Sequence, residues 1–157
     1  AQQSFGEDNV IAYQVGLLRR FKPLVAVGHD REGEYGHGAH RLNALALEQA
    51  VVYAADASYD PESAAQYGVW DTPKLYLHFA GENPIVLDVE TPLSSFGGLT
   101  AFEVASAAML RHESQLQYAH RPTLESEEFP RYDCRRFGLV RSLVGADTGN
   151  DIMEHLS

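Results

Sequence analysis

The apolar positions change period along the chain, and each change predicts an element. Ile11, Val15 and Leu18 recur at helical spacing after Asp8 and Asn9, either of which can cap, so a helix is expected to about Phe21. Lys22-Pro23 stops it, with positive charge at the end the helix dipole favours. Leu24 to Val27 is a short apolar run without alternation, the pattern of a buried parallel strand. A polar loop, Gly28 to Gly36, follows, and a second helix is expected from His37 or His40 to about Ala57. Asp60-Pro61-Glu62 reads as a cap with proline at the first helical position, which predicts a short helix over 61–67. Leu75, Leu77 and Phe79 then alternate with Tyr76 and His78, and Ile85, Leu87 and Val89 repeat that period after the turn Gly81-Glu82-Asn83-Pro84. This predicts a hairpin or a pair of adjacent strands, with Pro84 and Pro92 placing the second at an edge. Thr100 and Glu103 form a capping box for a helix to about Leu116, with Phe102, Ala105 and Met109 inward. Residues 117–133 read as a polar surface loop, Phe137 to Val144 as another strand, and 150–156 as a short closing helix. Short apolar strands interleaved with helices predict an α/β fold.

Length and charge narrow the function. A chain of 157 residues with 45% apolar content is expected to form one domain with its own core. A formal charge of −10 argues against nucleic acid and anionic membranes as partners, because both need clustered Lys and Arg. Arg19, Arg20 and Lys22 read as helix-end charge. The single Cys134 excludes an intrachain disulfide and a thiolate metal cluster, and it accords with a reducing compartment. No apolar run approaches the roughly 20 residues that span a bilayer. The polar opening AQQSFGEDN is not a signal peptide, although a trimmed end would leave export open. The chain lacks a P-loop, a G-x-G-x-x-G turn and a G-x-S-x-G elbow, which removes the usual nucleotide and serine-hydrolase signatures.

The stretch Pro23 to Leu47, PLVAVGHDREGEYGHGAHRLNALAL, carries the candidate chemistry. It runs from strand through a glycine-broken loop to a helix start, an order that builds sites at the carboxyl edge of parallel sheets. Neutral imidazole is the commonest zinc ligand, and His37 and His40, three apart at a helix start, share one face. By spacing alone they are also two ordinary polar residues at a helix cap. Gly33, Gly36 and Gly38 permit tight backbone paths, Asp30 and Glu34 add carboxylates, and Tyr35 adds a phenol. His29 and Asp30 end the strand, where Asp30 can orient His37 or His40 as an acceptor. The plainer reading is favoured elsewhere. His112 sits near a helix C-terminus, His78 and His120 read as surface residues, Tyr67 and Trp70 as packing rather than a sugar platform, and Arg141 as half of a structural ion pair.

GEYGHGAH after a strand ending in His29-Asp30 resembles the second metal motif of the PIG-L/LmbE-like N-deacetylases. PKLYLHF, FGGLTAFEVA, His112-Glu113-Ser114-Gln115 and FGLVRSLVG resemble the carboxyl half of the same family, so the likeness covers most of the chain. It implies a Rossmann-like three-layer fold, here partial and with an appended β-hairpin, and zinc-dependent removal of acetyl groups from N-acetylglucosaminyl compounds and related amides. The resemblance makes His40 a zinc ligand. It gives His37 the tasks of stabilising charge and protonating the departing amine, and Tyr35 that of donating to the oxyanion.

Two features depart from the family pattern. The family's first motif, a His-Pro-Asp-Asp-like run that supplies a His ligand, an Asp ligand and the carboxylate base, is not found in these residues. Gly38-Ala39 stands where the family often has Pro-Asp, which leaves His37 without a tuning carboxylate at that place. The chain is therefore expected to be the later part of a deacetylase, with Zn²⁺ anchored at His40 and by ligands from a preceding segment. An N-acetylated sugar or sugar conjugate is the expected substrate, and the isolated chain is expected to be inactive. An exposed sheet edge would favour pairing with another copy. The alternative class is a non-catalytic carbohydrate-binding or interaction domain on the same fold.

Overall fold

A computed structural model describes residues 6–111 and 135–156. Helix α1, Glu7–Phe21, begins one residue before the expected cap, after Gly6, and buries Ile11, Val15 and Leu18 as their spacing predicts. Lys22 adopts the left-handed conformation that ends the helix and returns its N–H to Leu18. Strand β1 is Val25–Gly28. Helix α2, Gly38–Tyr53, starts where expected but ends four residues early. Helix α3, Pro61–Tyr67, has the anticipated Asp60 cap, whose side chain accepts from Ser63 N–H.

Among the described residues, four strands form one sheet in the order β1, β2, β4, β3, where β2 is Lys74–His78, β3 is Pro84–Val86 and β4 is Arg136–Ser142. β1 and β2 run parallel, with Gly28 opposite Leu77, while β2 and β4 run antiparallel. The sheet is therefore mixed α/β. The expected hairpin is corrected here: β4, from the far end of the chain, lies between β2 and β3, and β3 stops at Val86 rather than Val89. Local alternation detects two strands but carries no information about a third that inserts between them.

Alternate residues of β2 meet different neighbours. Leu75 and Leu77 join Ala26, Ile11, Val15, Leu18, Leu47, Ala50 and Val51 in a single apolar core beneath α1 and α2. Lys74 and Tyr76 instead bond Asp147, with Lys74 Nζ 2.5 Å from Asp147 Oδ1 and 3.1 Å from the Glu154 carbonyl it donates to. Lys74 and Asp147 are almost fully buried, so their charges compensate one another where water cannot. That pair holds the closing segment to the sheet. The segment is a set of turns rather than the expected helix, with Glu154 N–H donating to Asp151 and Leu156 N–H to Met153. β1 is an edge strand, and Val27 is exposed, contrary to the fully buried strand its composition suggested.

Other expectations resolve locally. Trp70 Nε1 donates to the Pro23 carbonyl at 2.9 Å, a structural contact. Arg141 forms the expected ion pair, with Asp71 at 2.5 Å, and donates to the Thr72 carbonyl.

The chain separates into two units, one of Ala1–Ile85 with Arg136–Ser157 and one of Val86–Arg135. In the second, helix α4 spans Ala101–Met109, and Thr100 and Glu103 make both bonds of the predicted capping box. The helix ends short of Leu116, and Ala105 is exposed rather than inward. His112, Glu113, Ser114, Gln115, the loop expected over 117–133, His120 and Cys134 lie outside the described residues. Among the described residues no helix is long and apolar enough to cross a membrane.

Candidate metal centre

The parallel pair sets the site. β1 ends at Gly28 and β2 at His78, and the register places the next residue of β1, His29, at the same carboxyl edge. Gly28 has a packing reason: a Cβ there would stand 2.7 Å from Leu77 and 2.9 Å from Leu47, so only glycine lets these leucines close over the strand. Beyond it the chain turns tightly. Asp30 accepts from Glu32 N–H through its side chain and from Gly33 N–H through its carbonyl. A single 3₁₀ turn, Glu34–Gly36, then leads into α2, with His37 at the cap position and without a side-chain cap bond.

Gly33 makes that path possible. Its φ of 76° and ψ of 130° suit glycine alone, and a Cβ would come within 2.6 Å of the His37 carbonyl oxygen. Gly33→Ala is expected to destabilise the chain by about 1–3 kcal/mol and to displace His37 and His40. Urea titration reads the first effect and imidazole NMR shifts the second; an unchanged midpoint would show that the turn relaxes freely. Arg31 braces the loop from outside, with its guanidinium on Glu48 of α2 and on Glu82, each at 2.6 Å.

The loop gathers imidazoles around one carboxylate. Glu34 Oε1 accepts from the Asp30 backbone N–H at 3.1 Å and from His78 Nδ1 at 2.8 Å. Glu34 Oε2 lies 2.8 Å from His29 Nδ1 and 3.0 Å from His40 Nδ1. The rings of His29 and His40 stack 4.3 Å apart, 5° from parallel, and His37 stands 4.8 Å from His40. Burial of Glu34 acts to raise its pKa. The Asp30 N–H, the His78 bond and the positive potential of His29 outweigh that and hold the carboxyl down at about 2. Glu34 is thus a permanent anion at neutral pH.

The structure brings His37 and His40 together, with His29 stacked on His40. The Asp30 side chain turns back on its own loop, and the carboxylate that meets the imidazoles is Glu34. The backbone of Tyr35 forms the middle of the 3₁₀ turn, and its side chain lies outside the described residues. His78, expected at the surface, is 9% exposed and packs on Phe79 and Phe137. A histidine closing each of two parallel strands was the signal that could have joined His29 to His78.

The residues fit a metal ion. Glu34 Oε2 and His40 Nδ1 are buried and face one another without making a hydrogen bond. Among the described residues His29, Glu34 and His40 offer ligand atoms within 4.8 Å of one another. A carboxylate oxygen with two imidazole nitrogens is a donor set that zinc accepts.

A mixed α/β sheet with a histidine–carboxylate cluster at its carboxyl edge defines a class of candidate metal sites, and comparison with known proteins narrows it. The chain is 30% identical over 158 aligned positions to 1D-myo-inositol 2-acetamido-2-deoxy-alpha-D-glucopyranoside deacetylase 2 of Saccharopolyspora erythraea, covering 90% of this chain and 56% of that protein. It is 35% identical over 69 residues to the deacetylase of the same substrate name from Geodermatophilus obscurus, covering 44% of this chain and 22% of that one. A third relative, deacetylase 1 of Catenulispora acidiphila, is 36% identical over 69 residues, 44% of this chain and 20% of its own length. The chain thus spans about half the length of the first relative and about a fifth of the other two. No family model and no solved structure matches it.

Proposed function

We propose that this chain is the later part of a PIG-L/LmbE-like N-deacetylase, a metal-dependent hydrolase on a Rossmann-like sheet that removes acetyl from an N-acetylated sugar conjugate. The observation that carries this reading is the breadth of one match: 90% of the chain aligns with a protein named for deacetylating a glucosaminyl-inositol. The cluster at the carboxyl edge supports it from the chemical side. His40 would hold the ion, with His29 and Glu34 beside it. A zinc ion bound there would polarise the amide carbonyl and lower the pKa of a water.

The chain's own residues supply further roles. His37 is exposed, caps no backbone N–H and stands next to His40, so its imidazole can hold a proton for the departing amine. Tyr35, two residues earlier, takes the role of donor to the developing oxyanion. The Asp30 backbone N–H keeps the neighbouring carboxylate of Glu34 ionised and fixed. The carboxylate base belongs to a preceding segment of the same protein, whose strand would lie along the exposed β1 edge.

Acetate release from the glucosaminyl-inositol substrate, measured with this chain and with a longer protein carrying the upstream coding sequence, tests the proposal. The longer protein is expected to release acetate and to stop when zinc is chelated, while the 157-residue chain releases none. A longer protein that binds metal stoichiometrically, binds sugar and hydrolyses no N-acetyl sugar would overturn the hydrolase reading in favour of a binding module. Robust hydrolysis by the isolated chain would overturn the need for a preceding segment.

A further inference from the structure

Three ring nitrogens of the same kind meet one carboxylate. Glu34 Oε1 lies 2.8 Å from His78 Nδ1, and Glu34 Oε2 lies 2.8 Å from His29 Nδ1 and 3.0 Å from His40 Nδ1. An ionised carboxylate only accepts hydrogen bonds, so it attracts an N–H at that distance and repels a nitrogen lone pair. In neutral imidazole a proton on Nδ1 leaves Nε2 as the nitrogen with the lone pair. The place of Glu34 therefore decides which nitrogen of each ring is left to bind something else.

We propose that Glu34 is a positioning residue: it holds His40, together with His29 and His78, in the tautomer protonated on Nδ1, and so reserves Nε2 of His40 for the metal ion. The tautomer assignment stands on the geometry of this chain. Its purpose rests on the metal-binding part of the function proposed above. Glu34 acts on the ligand and takes no place on the ion itself.

The stacking geometry favours that role. The His29 and His40 rings lie 5° from parallel with centroids 4.3 Å apart, so one oxygen cannot lie in the plane of both, and Oε2 makes no aligned hydrogen bond with either. Two such rings also cannot both aim in-plane lone pairs at one ion. The carboxylate acts on them through its charge, which favours the N–H at Nδ1 without a directional bond. Its own orientation is fixed at the other oxygen, where Oε1 accepts from the Asp30 N–H at 3.1 Å as well as from His78. His78 is buried and packs on Phe79 and Phe137, so that anchor is itself held. A carboxylate behind a metal-binding imidazole fixes the tautomer and raises the basicity of the nitrogen that faces the ion.

Long-range proton–nitrogen correlation NMR reads the tautomer of each ring in the metal-free 157-residue chain, at a mildly alkaline pH where imidazoles are neutral. Nε2 of His29 and His40 is expected to show the shift of an unprotonated nitrogen, and Nδ1 that of a protonated one. His155 supplies a reference of the opposite kind, since its Nε2 faces the Ala146 carbonyl at 3.2 Å and carries the proton there. Glu34→Gln should invert the pattern at His29 and His40. Its amide oxygen stays with the Asp30 and His78 N–H groups, which turns the amide N–H toward the other two Nδ1 atoms. His78 should keep its proton on Nδ1, a split that mere loosening of the loop would not produce. In the longer protein the same variant should lower zinc affinity about 10-fold to 100-fold, read by calorimetry. Circular dichroism checks that it folds. A proton on His40 Nε2 in the unsubstituted chain, or the same tautomers with and without Glu34, would overturn the proposal whatever the longer protein does. The expected tautomers beside a longer protein that binds no zinc would bear out the assignment and overturn the function proposed above.

Discussion

His40→Ala is expected to strip the metal from the longer protein and to lower its deacetylation by at least about a thousandfold. The loss is large because one imidazole performs two tasks. Its Nδ1 is buried, makes no hydrogen bond and faces Glu34 Oε2 at 3.0 Å, and its ring stacks on His29, so removing it would take away the proposed ligand and the ring that packs on His29. His37→Ala separates metal binding from proton transfer. His37 is exposed, and its ring meets that of His40 at 4.8 Å. Its loss should leave metal content intact and reduce kcat about 10²-fold to 10³-fold, the usual size of a general acid contribution. Metal analysis beside steady-state kinetics reads both variants. Equal metal loss in the two would refute the division of roles.

Arg19→Ala should cost about 3–5 kcal/mol of stability, comparable with breaking a buried charged network. Arg19 is fully buried in α1, and its guanidinium donates to the carbonyls of Tyr53, Ala54, Asp56, Tyr59 and Asp60, at 2.7–3.2 Å. Those carbonyls belong to the end of α2, the turn behind it and the cap of α3, and all but that of Tyr59 also accept a backbone N–H. One planar fork ties the three segments together. Lysine carries a single ammonium in its place, so Arg19→Lys should recover only a minor part of the loss. Urea unfolding measures both, and a cost below about 1 kcal/mol for the alanine variant would mean that water replaces the guanidinium readily.

Arg19 also marks where sequence reading ends. Within Arg19-Arg20-Lys22 it looks like dipole-compensating charge, and only the approach of α2 and α3 turns it into an interior residue. Features decided within a few residues were legible. The stripe Ile11, Val15, Leu18, the Asp60 cap before Pro61 and the Thr100–Glu103 box all follow from spacing and local hydrogen bonding. The strand–loop–helix order likewise put His37 and His40 at the start of one helix. Features decided by register were not legible. The insertion of β4 between β2 and β3 joins segments from distant parts of the chain. The burial of His78 and its bond to Glu34 depend on β2 lying parallel to β1, which no local pattern records. Asp30 and Glu34 are both carboxylates in one loop, and the turn at Gly33 decides which of them swings inward.

Anomalous diffraction at the zinc absorption edge, from crystals of the longer protein grown with zinc, locates the ion directly. One strong peak is expected about 2.0–2.1 Å from an imidazole nitrogen of His40. A fully loaded, active protein whose only anomalous peak lies away from His40 would contradict it.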